Sequence, residues 1–346
     1  MTAFVSSPHT LFTNSVTRMM LLVIAALIPG YLAYIWFFGW GVLINSVICV
    51  STALLCEAWM LRLRHKPLWL FLTDGSALVT ALLLALALPP LFPWWLAALG
   101  TAFAIIVAKH LYGGLGYNPF NPAMVGYAIL LIAFPQHMTA WLPAGNGEAV
   151  IGLLDNLRYT FLNELPAGTT YDALTQATPL DTLHTQLVLG KTVSEIESSF
   201  VQFSKYFGVG WDWVSLMFLT GGLFLIYKRV ISWHIPATML GSIALLATFA
   251  YLVNPASNPD PLFHLLGGAT MLGAFFIATD PVTASTTPRG RLIYGAGVGI
   301  ITYVIRTWGG YPDGVAFGVL LMNMAAPTID YYTQPRVFGQ QKGRDK

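Results

Sequence analysis

The run Asp172-Ala173-Leu174-Thr175-Gln176-Ala177-Thr178-Pro179-Leu180 is polar, and it lies in the one long hydrophilic stretch of an otherwise apolar chain. Its Thr178 hydroxyl is a candidate for carrying a cofactor through an ester bond. The competing reading is a passive, threonine-rich loop. A second group of candidates is the pair of amides in Asn118-Pro119-Phe120-Asn121-Pro122. Proline removes backbone donors and frees carbonyls, and in lipid such groups need protein, water or ligand partners. Asn118 and Asn121 can read the polar edge of a ring such as a flavin, coordinate an ion, or cap a helix.

Three acids are candidates for an ion or proton path. Glu57 falls inside an apolar stretch, where a carboxylate is costly and by default points to ion or proton movement. The alternative is an interfacial glutamate that snorkels or pairs with Arg62 or Arg64. Asp280 in Thr279-Asp280-Pro281 can ligate a cation or cap the next segment. Asp330 has the same ambiguity, closer to water.

Other chemistries find no support. His110, His234 and His264 are scattered, without paired metal-ligand spacing. There is no Walker loop, no Gly-x-Ser-x-Gly and no Gly-x-Gly-x-x-Gly, so a hydrolase or ATPase has no case. The two cysteines, Cys49 and Cys56, are seven residues apart. On a helix that is about 10 Å along the axis, beyond disulfide reach. Two thiols cannot ligate an iron–sulfur cluster or structural zinc unaided. Redox work then needs an organic cofactor or a partner's cysteines.

The elements that position these residues are membrane helices. Of 346 residues, 56% are hydrophobic and 9% charged, with a mean hydropathy of +0.65. So few charges cannot cover a water-facing surface. The net charge of +2 and the lack of a basic run exclude nucleic acid as a partner. The polar start Met1–Arg18 precedes a full-length apolar span rather than a short signal core, so it is expected to stay attached.

At about 20 residues per crossing, ten spans are predicted near 19–38, 40–61, 76–90, 94–112, 121–138, 211–229, 234–253, 263–280, 291–307 and 314–332. With the N-terminus inside, only Arg158, Lys191, Lys205 and Arg306 of the 17 basic residues fall outside. Both termini are then cytoplasmic. The division is a segment 1–18, a first membrane repeat 19–138, an extracytoplasmic loop 139–210 holding Thr178, a second repeat 211–332 and a basic tail 333–346. That loop is too long for an ordinary connection.

Two stretches repeat at an offset near 195 residues: Gly75-Ser76-Ala77 with Gly268-Ala269-Thr270, Lys109 with Arg306, Gly113-Gly114 with Gly309-Gly310, and Phe120 with Phe317. A shift of five crossings is odd, so the halves are inverted. The expected fold is an all-α polytopic membrane protein of about ten helices in two inverted five-helix repeats with broken helices. Such repeats place binding sites near mid-membrane. The alternative is chance recurrence of Gly and Pro, which are common in membrane helices.

The run Asp172-x-x-Thr175-x-Ala177-Thr178 resembles the flavinylation signature of membrane redox complexes, with Gln176 where glycine is frequent. Ala108–Gly116, Asn118–Ala123, Gly273–Pro281 and Trp308–Phe317 resemble the family of Rnf-complex D subunits and the B subunits of sodium-pumping NADH:quinone oxidoreductases. The first span opens by residue 19, as on the Rnf side; the B subunits usually begin with a longer segment. The resemblance runs from Ser6 to the tail. It implies a covalent FMN joined by its phosphate to Thr178, with Asp172, Thr175 and Ala177 read by a separate flavin transferase. It also implies a noncovalent riboflavin near Asn118 and Asn121, partner subunits of the Rnf type, a bacterial cytoplasmic membrane location, and electron flow between ferredoxin-type donors and NAD coupled to Na+ or H+. Two other readings stand beside it: a small-solute channel or carrier, and a passive scaffold. Neither has a use for a flavinylation run.

Overall fold

A computed structural model describes residues 16–145, 151–166, 168–199, 210–311 and 313–335. Most of the expected N-terminal segment and of the basic tail lies outside the described residues. Among those described, the regular elements are all helical, and the one β-type contact is a bridge between Trp141 and Gln176.

The first half holds α1 (Val16–Phe38), α2 (Gly41–Leu63), α3 (Leu68–Leu72), α4 (Ser76–Ala87), α5 (Trp94–Ala102) running on into a π-helical segment (Phe103–His110), α6 (Pro122–Ala133) and α7 (Pro135–Thr139). The connecting segment folds as α8 (Leu153–Leu162), α9 (Tyr171–Leu174), α10 (Pro179–Val188) and α11 (Val193–Ser199). The second half holds α12 (Trp211–Tyr227), α13 (His234–Val253), α14 (Pro261–Leu266), α15 (Thr270–Leu272), a second π segment (Gly273–Ile277), α16 (Pro288–Trp308) and α17 (Val315–Thr333).

By length and composition four helical stretches are able to cross a membrane: Val16–Phe38, Gly41–Leu63, Leu68–Ala87 and His234–Val253. Trp94–His110, Pro122–Ala133 and Trp211–Tyr227 are shorter apolar helices. The chain is a multi-pass membrane protein. Six of the expected spans coincide with single uninterrupted helices: α1, α2, α12, α13, α16 and α17. The other four are short or broken, and each break has a local cause. Gly75, with φ +82°, turns the chain between α3 and α4. The Asp74 carboxylate accepts from the Ser76 amide at 2.7 Å there. Asn121 caps α6 and Pro122 opens it. Gly268, with φ +58°, separates α14 from α15.

The helices pack in two matching sets. α2 lies against α4 and α5, as α13 lies against the second π segment and α16. α5 and its π segment lie against α6, as α16 lies against α17. Across the middle, α1 meets α12 and α6 meets α17. Small residues allow the close crossings, as is usual where lipid tails give helices no hydrophobic reason to associate. A Cβ on Gly221 of α12 would stand 2.0 Å from the Ala26 carbonyl oxygen of α1, and one on Gly299 of α16 would stand 2.4 Å from that of Met239 on α13.

The helices α8–α11 lie over the end of the bundle where α1 stops, with the Gly145 amide donating to the Phe37 carbonyl at 2.7 Å. We call this the loop end. The opposite end carries Lys228, Arg229, Arg289 and Arg291 and is the basic end.

Candidate functional site

Thr178 is the N-cap of α10. Its hydroxyl oxygen accepts from the Asp181 amide at 3.3 Å, and Pro179 occupies the first helical position. This is ordinary capping chemistry, and it points the hydroxyl of a half-buried residue at the helix N-terminus. The run is held on both sides. Upstream, Gln176 and Trp141 exchange backbone hydrogen bonds at 2.7 and 3.0 Å. Downstream, Leu180 is buried with Leu183, Ile196 and Phe263. Thr175 donates its hydroxyl to the Tyr171 carbonyl at 2.9 Å, Ala177 is half-buried, and Asp172 is exposed.

Thr178 opens onto a cavity between the two halves, lined also by Tyr34, Trp141, Trp211, Tyr127 and Asp313. Trp141 and Trp211 are 5.1 Å apart at their ring centres, and Phe38 stands 4.7 Å from Trp211. Behind this aromatic wall the Arg306 guanidinium is fully engaged. It donates to both Asp313 oxygens at 3.0 Å, and to the His264 carbonyl and the Thr270 hydroxyl at 2.8 Å. Asp313 in turn accepts from the Ala269 amide at 2.9 Å. Among the ionisable groups here that lie outside the membrane helices, Asp181 stands out. Burial pushes its carboxyl above the usual range, partly offset by the nearby His184.

A second cavity, nearer the basic end, brings together Asn118, Asn121, Asp280, Ser76 and Lys109. Asn121 spends its polar atoms on the fold. Its side-chain oxygen accepts from the Ala123 and Met124 amides, its side-chain nitrogen donates to the Ile277 carbonyl at 3.3 Å, and its backbone amide donates to Asn323 at 3.1 Å. Asn118 is different. Its nitrogen donates to the Phe120 carbonyl at 3.0 Å, while its buried side-chain oxygen has no partner. A buried acceptor left unmatched is costly, so this atom points to a donor supplied by a ligand.

The structure separates the three acids. Glu57 is 2% exposed and accepts from Lys109 Nζ at 2.9 Å on both oxygens. Lys109 also donates to Ser76 at 2.9 Å. His110 Nε2 also lies 3.0 Å from the Glu57 carboxylate. The partner of Glu57 is therefore Lys109, not Arg62 or Arg64. Asp330 is a cap: it accepts from the Ser285 hydroxyl, and from the Thr286 amide and hydroxyl at 2.9 and 2.8 Å. Asp280 accepts from the Val282 amide at 3.2 Å and the Thr283 hydroxyl at 3.0 Å. Among the described residues it has no cationic partner.

The structure puts Thr178, Asn118, Asn121 and Asp280, all singled out from sequence, at cavities lined by residues of both halves. Sequence reasoning misses the aromatic wall, the Lys109–Glu57 pair and Asn323. Asn323 was legible as an isolated amide inside an apolar span. Trp141 and Trp211 were legible as tryptophans at the two edges of the loop. The Lys109 pairing was not, because its partner is 52 residues away on another helix.

Over residues 3–339 the chain matches the model of the NQR2, RnfD, RnfE family. It is 53% identical to the D subunit of the ion-translocating oxidoreductase complex of Salmonella paratyphi A over 346 positions, covering 98% of each chain. The counterpart from Escherichia fergusonii is 52% identical, and that from Salmonella typhimurium 53%, each again over 98% of both chains. A match of this extent shows that the chain belongs to the NQR2, RnfD, RnfE family.

Proposed function

We propose that this protein is the membrane flavoprotein subunit of an ion-translocating oxidoreductase complex, with FMN held covalently through its phosphate on Thr178. The observation that carries the reading is the geometry of Thr178, a half-buried residue with its hydroxyl at a helix N-cap, opening onto an aromatic-walled cavity. A phosphodiester there meets the positive end of α10, the site helices offer to anions. The bridge to Trp141 and the anchoring of Leu180 hold the attachment point over the cavity. Tyr34, Trp141 and Trp211 offer apolar faces for a planar ring. Asp172 is exposed for recognition by a flavin transferase.

A second, noncovalent flavin, riboflavin in this reading, belongs in the cavity of Asn118. The unpartnered Asn118 oxygen suits a ring N–H donor, while Asn121 holds the walls of the two halves together. Bound flavins supply one- and two-electron transfer, and the protein tunes them by charge and hydrogen bonding. The chain's own contribution is placement. α4, α6 and α12 line both cavities, so the same helices hold both rings.

The matched helix pairings support ten crossings in two inverted five-helix repeats. Lys109 bonded to Ser76 and Arg306 bonded to Thr270 are equivalent ties in the two halves, each fastening a cation to the start of a broken helix. The distribution of basic residues then places both termini and the basic end in the cytoplasm of a bacterial cell and Thr178 outside. The relatives' name adds partner subunits and ion transport, for Na+ or H+. Asp280, a carboxylate without a cation at the Asn118 cavity, is the acid best placed to meet the ion. Co-expression with a flavin transferase tests the covalent assignment. The chain gives a fluorescent band on a denaturing gel under ultraviolet light, and Thr178→Val abolishes it. A band that survives that substitution overturns the reading.

A further inference from the structure

At the basic end, the turn between α12 and α13 and the segment leading into α16 enclose a third cavity of about 580 Å³. Its lining includes Arg229, Arg291, Ser232, Trp233, Ser285 and Asp280. Neither arginine has a carboxylate partner among the described residues. Arg229 is exposed, on a residue held at φ +56°. Arg291 is half-buried and spends its Nε on the Ser285 carbonyl at 3.3 Å, leaving the outer guanidinium nitrogens for another acceptor. The two acids nearby accept from neutral donors and form no ion pair with either arginine among the described residues: Asp280 accepts from Val282 and Thr283, and Asp330 from Ser285 and Thr286. The cavity therefore offers two forked cationic donors to a group with several acceptor oxygens.

We infer that this cavity binds a phosphate group, and that its source is the head group of an anionic phospholipid. Guanidinium forks match phosphate oxygens, and basic pockets between membrane helices take acidic lipid head groups. The surroundings favour a lipid over a free anion. Trp233 on the rim is 56% exposed, as befits an aromatic at a membrane interface. Tyr227 is 79% exposed at the end of α12, with the Lys228 ammonium 5.4 Å from its ring centre. This site adjoins the Asn118 cavity, with which it shares Asp280, but its two arginines line it alone, and it does not depend on flavin attachment.

The test uses the full chain in nanodiscs or detergent, with native mass spectrometry of bound lipid. Phosphatidylglycerol is the probe, phosphatidylethanolamine the zwitterionic control and inorganic phosphate the free anion. Phosphatidylglycerol is retained over phosphatidylethanolamine. Arg229→Gln and Arg291→Gln each weaken that retention by about fivefold, while Arg229→Lys keeps most of it. Arg62→Gln, at an exposed basic residue outside the cavity, leaves it unchanged. Elution volume on size exclusion confirms that each variant is folded. Retention unchanged in the folded Arg229→Gln/Arg291→Gln double variant overturns the site. Saturation by millimolar inorganic phosphate, with no preference for phosphatidylglycerol, overturns the lipid source.

Discussion

At the scale of single residues, hydrogen-bond accounting separates amides that hold the fold from amides that can hold a ligand. Asn118 and Asn121 are three positions apart and look equivalent in sequence. Asn121 has both side-chain atoms engaged by the protein, and Asn118 has a buried oxygen with nothing to accept from. On the proposed function, Asn118→Leu is expected to lower the occupancy of a noncovalent flavin, weakening its binding by about tenfold for one lost hydrogen bond in a buried site. The covalent flavin stays. Flavin released by acid precipitation, compared with flavin retained on the chain, measures the two separately. Asp181 gives a second residue-level expectation. Its carboxyl is raised by burial, so the folded segment keeps a proton that the unfolded segment has lost. The docking of α10 then loses stability as pH rises through the carboxylate range, and Asp181→Asn removes that dependence. Hydrogen exchange of the α10 amides at about pH 4 and about pH 7, corrected for intrinsic rates, reads it. Equal protection in wild type at both values contradicts it.

At the scale of elements, the unbroken helices were legible because a long apolar run has one stable solution in lipid. α1, α2, α12, α13, α16 and α17 each coincide with a single expected span. The broken segments were less so. Gly75, Gly268 and Pro122 marked the breaks, but the π segments at Phe103–His110 and Gly273–Ile277 left no signature that periodicity could separate from ordinary helix. Likewise, Glu57 was recognisable as costly, while its partner depends on how α2 and the first π segment meet. The pair ties three elements together through Glu57, Lys109 and Ser76. Lys109→Met strands the carboxylate in an apolar setting and is expected to destabilise the protein by about 3–5 kcal/mol. Adding Glu57→Gln to that variant recovers most of the loss. Thermal unfolding in detergent follows both. A single variant as stable as wild type shows that the pair contributes nothing.

At the scale of the whole molecule, the two halves carry similar helix pairings, with one cavity toward each end and α4, α6 and α12 lining both. The motif around Thr178 is the basis for proposing an attachment point; the structure adds the aromatic-lined cavity it faces and the helix N-terminus it caps. What the sequence left illegible were the contacts between halves, since Asn121 meets Asn323 across 202 positions of chain. In the proposed function, a covalent flavin at the loop end and a bound flavin near the basic end would make the bundle a conduit for electrons from one membrane face to the other. The most direct test of that account is tandem mass spectrometry of the peptide spanning Asp172–Leu180 from chain isolated from bacterial membranes that contain a flavin transferase. The account predicts an FMN phosphodiester localised to Thr178. An unmodified peptide from membranes in which the transferase is demonstrably active, or FMN localised to any other residue, contradicts it.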